Sequence, residues 1–149
     1  MYVESFDSPV GAVSVEADEM CVTAVRFMRS KQQNPNPVTA LAVKEMLEYF
    51  SGKRKSFTVS IRFDGTEFQN KVWSALCNIP YGETASYSDI ARAVGSPRAC
   101  RAVGSANNKN PVPIIVPCHR VIGKNGALVG YAGGIEIKKK LLQIENRYK

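Results

Sequence analysis

The residues NPVPIIVPCHR at positions 110–120 restrict the possible structures of this chain more than any other stretch does. The apolar triplet Ile114, Ile115 and Val116 has prolines on both sides. Because β-branched residues fit a pleated strand, while prolines forbid both a helix and a long ladder, the triplet is predicted to be a short buried strand. Cys118 would then lie just past the end of that strand.

The thiol of Cys118 is a candidate nucleophile. It is followed by His119, the only histidine of the chain, and then by Arg120. Such an electropositive setting can lower the pKa of a cysteine and supply the reactive thiolate. The alternative is that Cys118 is a small buried hydrophobic residue, as most unpaired cysteines are, since neighbours in sequence need not have side chains that meet.

Composition predicts a soluble, cytoplasmic globular protein. The chain has 149 residues, of which 44% are hydrophobic, enough for one core or two small ones. No apolar run is long enough to span a bilayer, and the N-terminus lacks the layout of a signal peptide. Four scattered cysteines and a single histidine favour reduced thiols, so we expect neither a metal site nor a cofactor.

The net charge of +7 is distributed unevenly. Residues 1–65 contain eight Lys or Arg and eight Asp or Glu, whereas residues 66–149 contain twelve and five. This asymmetry predicts a neutral front module and a basic rear module that faces a polyanion, most simply nucleic acid. A solvated basic surface without a partner is the alternative that charge alone leaves open.

The pattern of residues 1–65 predicts a small α/β module. Strand-like alternation up to residue 27, broken by two turns, is typical of an antiparallel meander. Apolar residues at helical spacing between 43 and 50 predict a helix, and alternation over 57–63 predicts one further strand. The module offers no candidate chemistry, so we interpret it as scaffolding.

Residues 66–149 are predicted to form a mainly helical domain, which makes the whole chain an α+β protein. A capping box at Thr66 opens a first helix. Ser86 caps a second helix that Gly95 ends, and Ser96 caps a third helix that runs through PRACRAVGSANN. Two short helices joined by a tight turn that contains glycine are typical of a helix-turn-helix.

The third of these helices has a surface of small side chains, including Ala102 and Gly104, from which Arg101 projects. Gly104 destabilises a helix, so something must offset its cost. A helix without bulk that carries one long cation favours the minor groove of DNA over the major groove. Close packing against the protein's own core is the alternative.

The last helix carries a carboxylate in an unfavourable position. Glu145 lies near the C-terminal end, where it opposes the helix dipole. A positive partner would account for it, and His119 is a candidate. The three lysines at 138–140 are predicted to crowd the rim of the helix's apolar face.

Three segments resemble the O6-alkylguanine-DNA alkyltransferase family, also called methylated-DNA-protein-cysteine methyltransferases. They are IPYGETASY at 79–87, SPRACRAVGSANNKNPVPIIVPCHRVIG at 96–123 and GYAGG at 130–134. The resemblance implies a single-use protein that moves an alkyl group irreversibly from O6 of guanine to a cysteine. It also implies minor-groove binding of duplex DNA and flipping of the damaged nucleotide.

The resemblance assigns roles at the reacting centre. Cys118 is implied to be the acceptor thiolate, His119 the base that deprotonates it through a water, and Glu145 the carboxylate that orients the histidine. Asn110 is implied to brace the turn around the cysteine. Tyr87 is implied to crowd the 3′ phosphate and to protonate guanine at N3, although its place on an apolar helix face leaves a core role open.

The resemblance also implies a substrate pocket and a DNA surface. Arg101 would enter the base stack and fill the space left by the flipped nucleotide. Val121 would offer its carbonyl to the guanine, and Tyr131 with Gly133 would cover the alkyl group. Ala132 stands where some members carry a serine, so only its backbone N–H could bind O6. The other implied DNA contacts are Tyr87, Ser88, Ser96, Ala102, Gly104 and Lys124.

Two other classes of function compete with this reading. A non-catalytic module that recognises alkylated DNA and recruits other factors would not need Cys118 together with His119 and Glu145. A cysteine hydrolase would need its cysteine and histidine on separate elements, and the sequence offers no second candidate base. We therefore expect a monomer whose partner is double-stranded DNA that contains O6-alkylguanine.

Overall fold

The computed structural model describes residues 1–131 and 133–149. Ala132, which was expected to present its N–H to O6, lies outside the described residues. The chain divides into two compact units, Met1–Phe63 with Pro111–Ile115 and Asp64–Asn110 with Val116–Lys149. The architecture is the predicted α+β arrangement, with a small antiparallel sheet and helices. Within those described ranges, no helix is both long and apolar enough to cross a membrane.

The first unit contains a three-stranded antiparallel sheet whose strands are adjacent in sequence order: β1 (Tyr2–Ser8), β2 (Gly11–Ala17) and β3 (Val22–Arg26). The Ser8 hydroxyl donates to the carbonyl of Gly11 at 2.7 Å and closes the first turn. In the second turn, the Asp18 carboxylate accepts from the N–H of Cys21 at 2.7 Å. The predicted meander is confirmed.

Helix α1 (Pro37–Phe50) covers this sheet. Its N-cap, Asn36, accepts from the N–H of Thr39, and Pro37 occupies the first position, where a missing N–H costs nothing. Met46 and Tyr49 are fully buried. Their burial provides the apolar contact that holds the helix on the sheet.

The predicted strand at 57–63 is wrong. Ile61 makes only an isolated bridge to Val22. The N–H groups of Thr58 and of the next residue both donate to the buried Glu45 carboxylate, at 2.9 and 3.0 Å. Because this carboxylate takes up backbone donors that a ladder would need, the segment keeps alternating burial without forming a strand.

The predicted strand before Cys118 is also wrong, because the apolar triplet there turns. Ile114 has a φ of 74°, in the left-handed region that a β-branched residue rarely adopts. In the first unit, the carbonyl of Pro111 accepts from the N–H of Val25 at 2.9 Å. Ile114 and Ile115 both lie in a turn, so the triplet is not an extended strand.

The second unit is mainly helical and contains α2 (Glu67–Leu76), α3 (Tyr87–Ala93), α4 (Cys100–Asn108) and α5 (Ile135–Tyr148). Thr66 caps α2 through the predicted capping box, and Ser86, predicted as a cap, also forms a capping box, with Asp89, at the start of α3. Trp73 of α2 donates its indole N–H to the carbonyl of Ala106 in α4 at 2.8 Å. This bond fixes the side of α4 that faces the core.

Helix α4 begins later than predicted. Its N-cap is Ala99, which makes no side-chain capping bond, so Ser96 does not cap the helix. The carbonyl of Ser96 instead accepts from the N–H of Ala99 at 2.9 Å in a separate turn. Helices α3 and α4 still pack against each other as a helix-turn-helix. A short parallel pair, β4 (Ala85–Ser86) with β5 (Val121–Ile122), ties the start of α3 to the segment after Cys118.

Candidate active site

Cys118, His119 and Arg120 form one buried 3₁₀ turn (Cys118–Arg120). The turn is closed by the N–H of Arg120, which donates to the carbonyl of Pro117 at 3.0 Å. Cys118 is almost completely buried, with 3% of its surface exposed. The three side chains therefore interact with the interior of the second unit rather than with bulk water.

Two asparagines hold the backbone of this turn. Asn110 donates to the carbonyl of Val116 at 2.9 Å, and its side chain also hydrogen-bonds the Cys118 thiol. Asn107 of α4, which is buried, donates to the carbonyl of Cys118 at 3.3 Å. Asn110 was expected at this turn and Asn107 was not, because a polar residue near a helix end is typical of a solvated surface.

Burial raises the pKa of the Cys118 thiol to about 11. The polar side chains of Asn110 and Tyr131 and the charge of Lys138 act in the opposite direction without outweighing the burial. The expectation that basic neighbours in sequence keep this thiol ionised is therefore wrong. At pH 7, a pKa near 11 leaves roughly one thiol in ten thousand as thiolate, so a base must remove the proton during reaction.

Glu145 binds both basic neighbours of the cysteine. Its carboxylate lies 2.6 Å from Nε2 of His119 and accepts from Nε and Nη2 of Arg120 at 2.8 and 3.0 Å. The N–H of Gly82 donates to the same carboxylate at 3.2 Å. Burial alone would raise the pKa of Glu145, but His119 and Arg120 together lower it to about 2. Glu145 is therefore ionised, and it meets the histidine that the sequence analysis named as its candidate partner.

The imidazole of His119 is completely buried and neutral at pH 7. Burial lowers its pKa, and the adjacent Glu145 carboxylate, which raises it, does not compensate. Because Nε2 faces the carboxylate, we assign the ring proton to Nε2 and the lone pair to Nδ1. Within the described part of the chain, Nδ1 has no hydrogen-bond partner. The ring can therefore accept a proton at Nδ1.

Arg120 is a structural anchor that the sequence analysis noted only for its charge. Besides Glu145, its guanidinium binds the carbonyl of Ile79 through Nη1 at 2.7 Å. It also lies over the ring of Tyr81, 5.6 Å from the centroid. Planar guanidinium groups suit such a combination of a bidentate carboxylate and an aromatic face. The arginine thus fixes the carboxylate that in turn holds His119.

Lys138 is fully buried, which contradicts its predicted place at the rim of α5. Its ammonium donates to the carbonyls of Val121 and Val129 at 2.5 and 3.0 Å. Lys139 and Lys140 are exposed, as predicted. The Val121 carbonyl, which was predicted to bind guanine, therefore has one of its two lone pairs engaged by Lys138.

Two tyrosines adjoin the thiol. Tyr131 is buried beside Cys118, and burial raises the pKa of Tyr131 well above its ordinary value. Tyr87, the first residue of α3, is half-buried and donates its hydroxyl to the carbonyl of Val129 at 3.0 Å. Burial, followed by the charge of Cys118, raises the pKa of Tyr87, which keeps that hydroxyl protonated. Gly133, in the turn before α5, is also half-buried.

The residues predicted to contact DNA lie mainly on α3, α4 and the turn between them. Arg101 and Ala102 of α4 are exposed. Gly104 is half-buried, and a Cβ added there would lie 3.8 Å from the ring of Tyr87, an ordinary contact distance. Ser88 and Ser96 are half-buried, and Ser88 Oγ lies 3.5 Å from the thiol of Cys100. Lys124 is exposed and lies in a separate loop after β5.

No group of three or more His, Cys, Asp or Glu side chains among residues 1–131 and 133–149 is placed to hold a metal ion. The buried titratable groups near Cys118 instead interact with one another through hydrogen bonds. Cys118, His119 and Glu145 supply a thiol, a neutral imidazole and an ionised carboxylate.

Comparisons with known proteins agree on one family. The family described as 6-O-methylguanine DNA methyltransferase, DNA binding domain, matches residues 67–147. A methylated-DNA–protein-cysteine methyltransferase of Methanosarcina acetivorans is 48% identical and is matched over 97% of this chain and 98% of its own length. The constitutive enzyme of the same name from Bacillus subtilis is 46% identical, over 97% of this chain and 94% of its own.

A solved structure gives the same result for the fold. The crystal structure of Mycobacterium tuberculosis OGT in complex with DNA superposes with a TM-score of 0.92 at 43% identity, covering 99% of this chain and 94% of that one. Sequence and fold therefore agree over nearly the whole length. This chain belongs to the 6-O-methylguanine DNA methyltransferase family.

Proposed function

We propose that this protein repairs DNA by moving an alkyl group from O6 of guanine in duplex DNA onto the sulfur of Cys118, once per molecule. The observation that carries the proposal is the buried series of Cys118, neutral His119 and ionised Glu145 within a chain of this family. The named activity of the similar proteins and the DNA complex of the M. tuberculosis protein support the substrate class.

Proton transfer starts the reaction. His119 takes the thiol proton at Nδ1, through a water molecule, while its Nε2–H remains bonded to Glu145. The carboxylate stabilises the imidazolium that results, in the role of the acid of a catalytic triad. Because the pKa of the resting thiol is about 11, this assisted step supplies the thiolate.

The thiolate then attacks the alkyl carbon. A C–S bond forms as the C–O6 bond breaks, and the bonding electrons stay on the guanine. Tyr87 donates its hydroxyl proton to N3 of the leaving base and regains a proton from water, while the His119 imidazolium releases to water the proton that it took from the thiol. A thioether is not hydrolysed under these conditions, so each molecule reacts once.

Access to the sulfur requires Tyr131 to move, because Cys118 is buried and Tyr131 lies beside it. Gly130 and Gly134 flank this tyrosine and both have positive φ, at 56° and 98°. Backbone rotation at these glycines lifts Tyr131 from the thiol when the flipped base enters. Tyr131 and Gly133 then cover the alkyl group, and the free lone pair of the Val121 carbonyl faces the base.

We further propose that α3 and α4 lie along the minor groove, with Arg101 in the base stack. The exposure of Arg101 and of Ala102 supports this placement. The other proposed DNA contacts are Tyr87, Ser88, Ser96, Gly104 and Lys124. The protein acts as a cytoplasmic monomer without a metal or cofactor, and residues 1–65 serve as scaffolding for the reactive domain at 66–149.

The test is incubation with a duplex that contains O6-methylguanine, followed by mass analysis of peptides. We expect one added methyl group on the Cys118 peptide, stoichiometric with protein, and none in Cys118→Ser. Tight DNA binding with an unmodified Cys118 would favour the recruiting module instead. Repair of more than one base per protein molecule would favour a hydrolase.

A further inference from the structure

Asn107 carries a buried hydrogen-bond acceptor that has no partner in the described part of the chain. The residue lies in the last turn of α4, and only 1% of its surface is exposed. Its Nδ2 donates to the carbonyl of Cys118, and because a carbonyl only accepts, this bond fixes which end of the amide is the nitrogen. Oδ1 is therefore the end that does not face this carbonyl, and no donor of residues 1–131 or 133–149 bonds to it.

Burial of an amide oxygen without a hydrogen bond is costly, and a leucine of similar volume would avoid the cost. The oxygen gains its bond when a donor enters the site. The molecule that enters during the reaction is the alkylated base, so the donor that Oδ1 lacks is one that the base brings.

The last turn of α4 lies between the nucleophile and the segment that covers it. Asn107 bonds to the carbonyl of Cys118, and the amide nitrogen of Asn108 lies 3.1 Å from the place that a Cβ on Gly130 would take. Gly130 directly precedes Tyr131, which moves aside when the base enters. The side chain of Asn107 therefore belongs to the wall of the space that the flipped base occupies.

An O6-alkylated guanine has only one donor group, the 2-amino group. The alkyl group occupies O6, and N1 then carries no hydrogen, so the remaining ring nitrogens of the base accept or are substituted. The 2-amino group keeps two N–H bonds. The carbonyl of Val121, which has one lone pair free, accepts one of them. The second N–H needs another acceptor inside the site.

We propose that Asn107 is a specificity-determining residue whose Oδ1 accepts the second N–H of the 2-amino group of the alkylated guanine. The bond from Nδ2 to Cys118 holds the amide in the orientation that this contact needs. The inference rests on the proposed function and deepens it, because it names the feature by which the site prefers alkylated guanine to an alkylated purine without the amine.

The experiment measures single-turnover repair of two duplexes, one with O6-methylguanine and one with O6-methylhypoxanthine, which lacks only the 2-amino group. Asn107→Leu removes the acceptor at similar volume and should slow repair of O6-methylguanine by roughly tenfold, because one N–H of the enclosed amine is left unpaired. Repair of O6-methylhypoxanthine should change by less than about twofold. Since the two bases leave the duplex at different cost, the quantity compared is the ratio of the two rates in wild type and in the variant.

Asn78→Leu is the matched control, since Asn78 is an exposed asparagine just after α2, and it should keep the wild-type ratio. Equal slowing of both substrates in Asn107→Leu would overturn the proposal, because the asparagine would then only support the turn of Cys118. Alkylation of the Cys118 peptide by iodoacetamide, without DNA, should be unchanged in Asn107→Leu, and slower alkylation would also indicate a displaced turn and count against the proposal.

Asn107→Met, which is also apolar and of similar length, replaces Asn107→Leu if the leucine variant does not fold. A wild-type protein that repairs both duplexes, with a ratio of rates that neither variant changes, would overturn this inference alone. A wild-type protein that takes no methyl group from either duplex would overturn the proposed function and this inference with it.

Discussion

At the scale of single residues, Cys118 of the resting protein is a buried, protonated thiol and not a thiolate. Its pKa of about 11 keeps it protonated at neutral pH, and its cover keeps small oxidants and electrophiles away. Reactivity then depends on His119, which is held by Glu145 and is neutral. A protein that can react only once benefits from a nucleophile that is inert until its substrate is seated.

Arg101 is exposed on α4, where it can act on DNA without supporting the protein's own packing. Arg101→Ala should slow repair of O6-methylguanine in duplex DNA by roughly 10–100-fold, since the energy of flipping a base is a few kcal/mol. Reaction with a free O6-alkylguanine base should be nearly unchanged. Single-turnover rates on the two substrates make the comparison.

Arg98→Ala provides the matched control for Arg101→Ala, because Arg98 is also exposed but precedes α4. It should weaken duplex binding through loss of charge and leave the repair rate of the bound complex near wild type. If Arg101→Ala slowed both substrates equally, the arginine would support the structure of the site rather than the flipped-out state.

Several residues of the site were predictable from sequence and several were not. The pattern around Cys118 marked the cysteine, and the odd position of Glu145 pointed to His119. The burial of Lys138 was not predictable, because a lysine beside an apolar helix face is nearly always placed at its rim. Its two acceptors are backbone carbonyls, which leave no signature in a sequence.

At the scale of elements, helix α4 lacks large side chains on its surface. Gly104 lies in its interior, yet the space beside it would accept a methyl group at 3.8 Å from Tyr87. The protein's own packing therefore does not require a glycine there. We propose that a close approach by the minor groove of DNA accounts for the small side chain.

Gly104→Ala should therefore stabilise the free protein and weaken DNA binding. The gain in helix propensity is about 1 kcal/mol, which corresponds to a rise in melting temperature of roughly 2–4 °C. Calorimetry and titration of a duplex measure the two effects. Ser74→Ala on the exposed face of α2 is the control, since it changes helix propensity away from α4. Unchanged DNA affinity in Gly104→Ala would place the small face of α4 away from DNA.

Capping signals predicted the starts of α2 and α3 correctly, because Thr66 and Ser86 form complete capping boxes. The start of α4 was predicted too early, since Ser96 followed by proline has the same signature as a cap and instead forms a turn. The prediction of a strand at 57–63 was wrong for a different reason. Its backbone donors bind a buried carboxylate from α1, a long-range contact that local alternation does not reveal.

At the scale of the whole molecule, stability in acid is linked to the site. Glu145 has a folded pKa of about 2 against an ordinary value of 4.5, so its ionised form stabilises the fold fully above pH 4.5 and loses this effect as the pH falls towards 2. Its partners His119 and Arg120 are buried as well. The same contacts therefore serve the fold and the chemistry.

Glu145→Gln should destabilise the protein at pH 7 by roughly 3–5 kcal/mol, because it leaves the buried Arg120 without its counter-charge. The difference from wild type should shrink as the pH falls from 4.5 towards 2, where wild type also loses the carboxylate. Urea unfolding at a series of pH values measures the free energies. Glu136→Gln, exposed on α5, should show no such trend, and a constant difference for Glu145→Gln would contradict this linkage.

Pro111–Ile115 belongs to the first unit although the residues before and after it belong to the second. This assignment determines where the chain can be truncated and where a further domain can be inserted. A fragment that begins at residue 64 would carry Val112 and Ile114, both buried here, into solvent and would strip Pro111 of its bond to Val25. Affinity tags or reporter domains should therefore be tolerated near residue 64 far better than between 110 and 116, where they would break the contacts of this segment within the first unit.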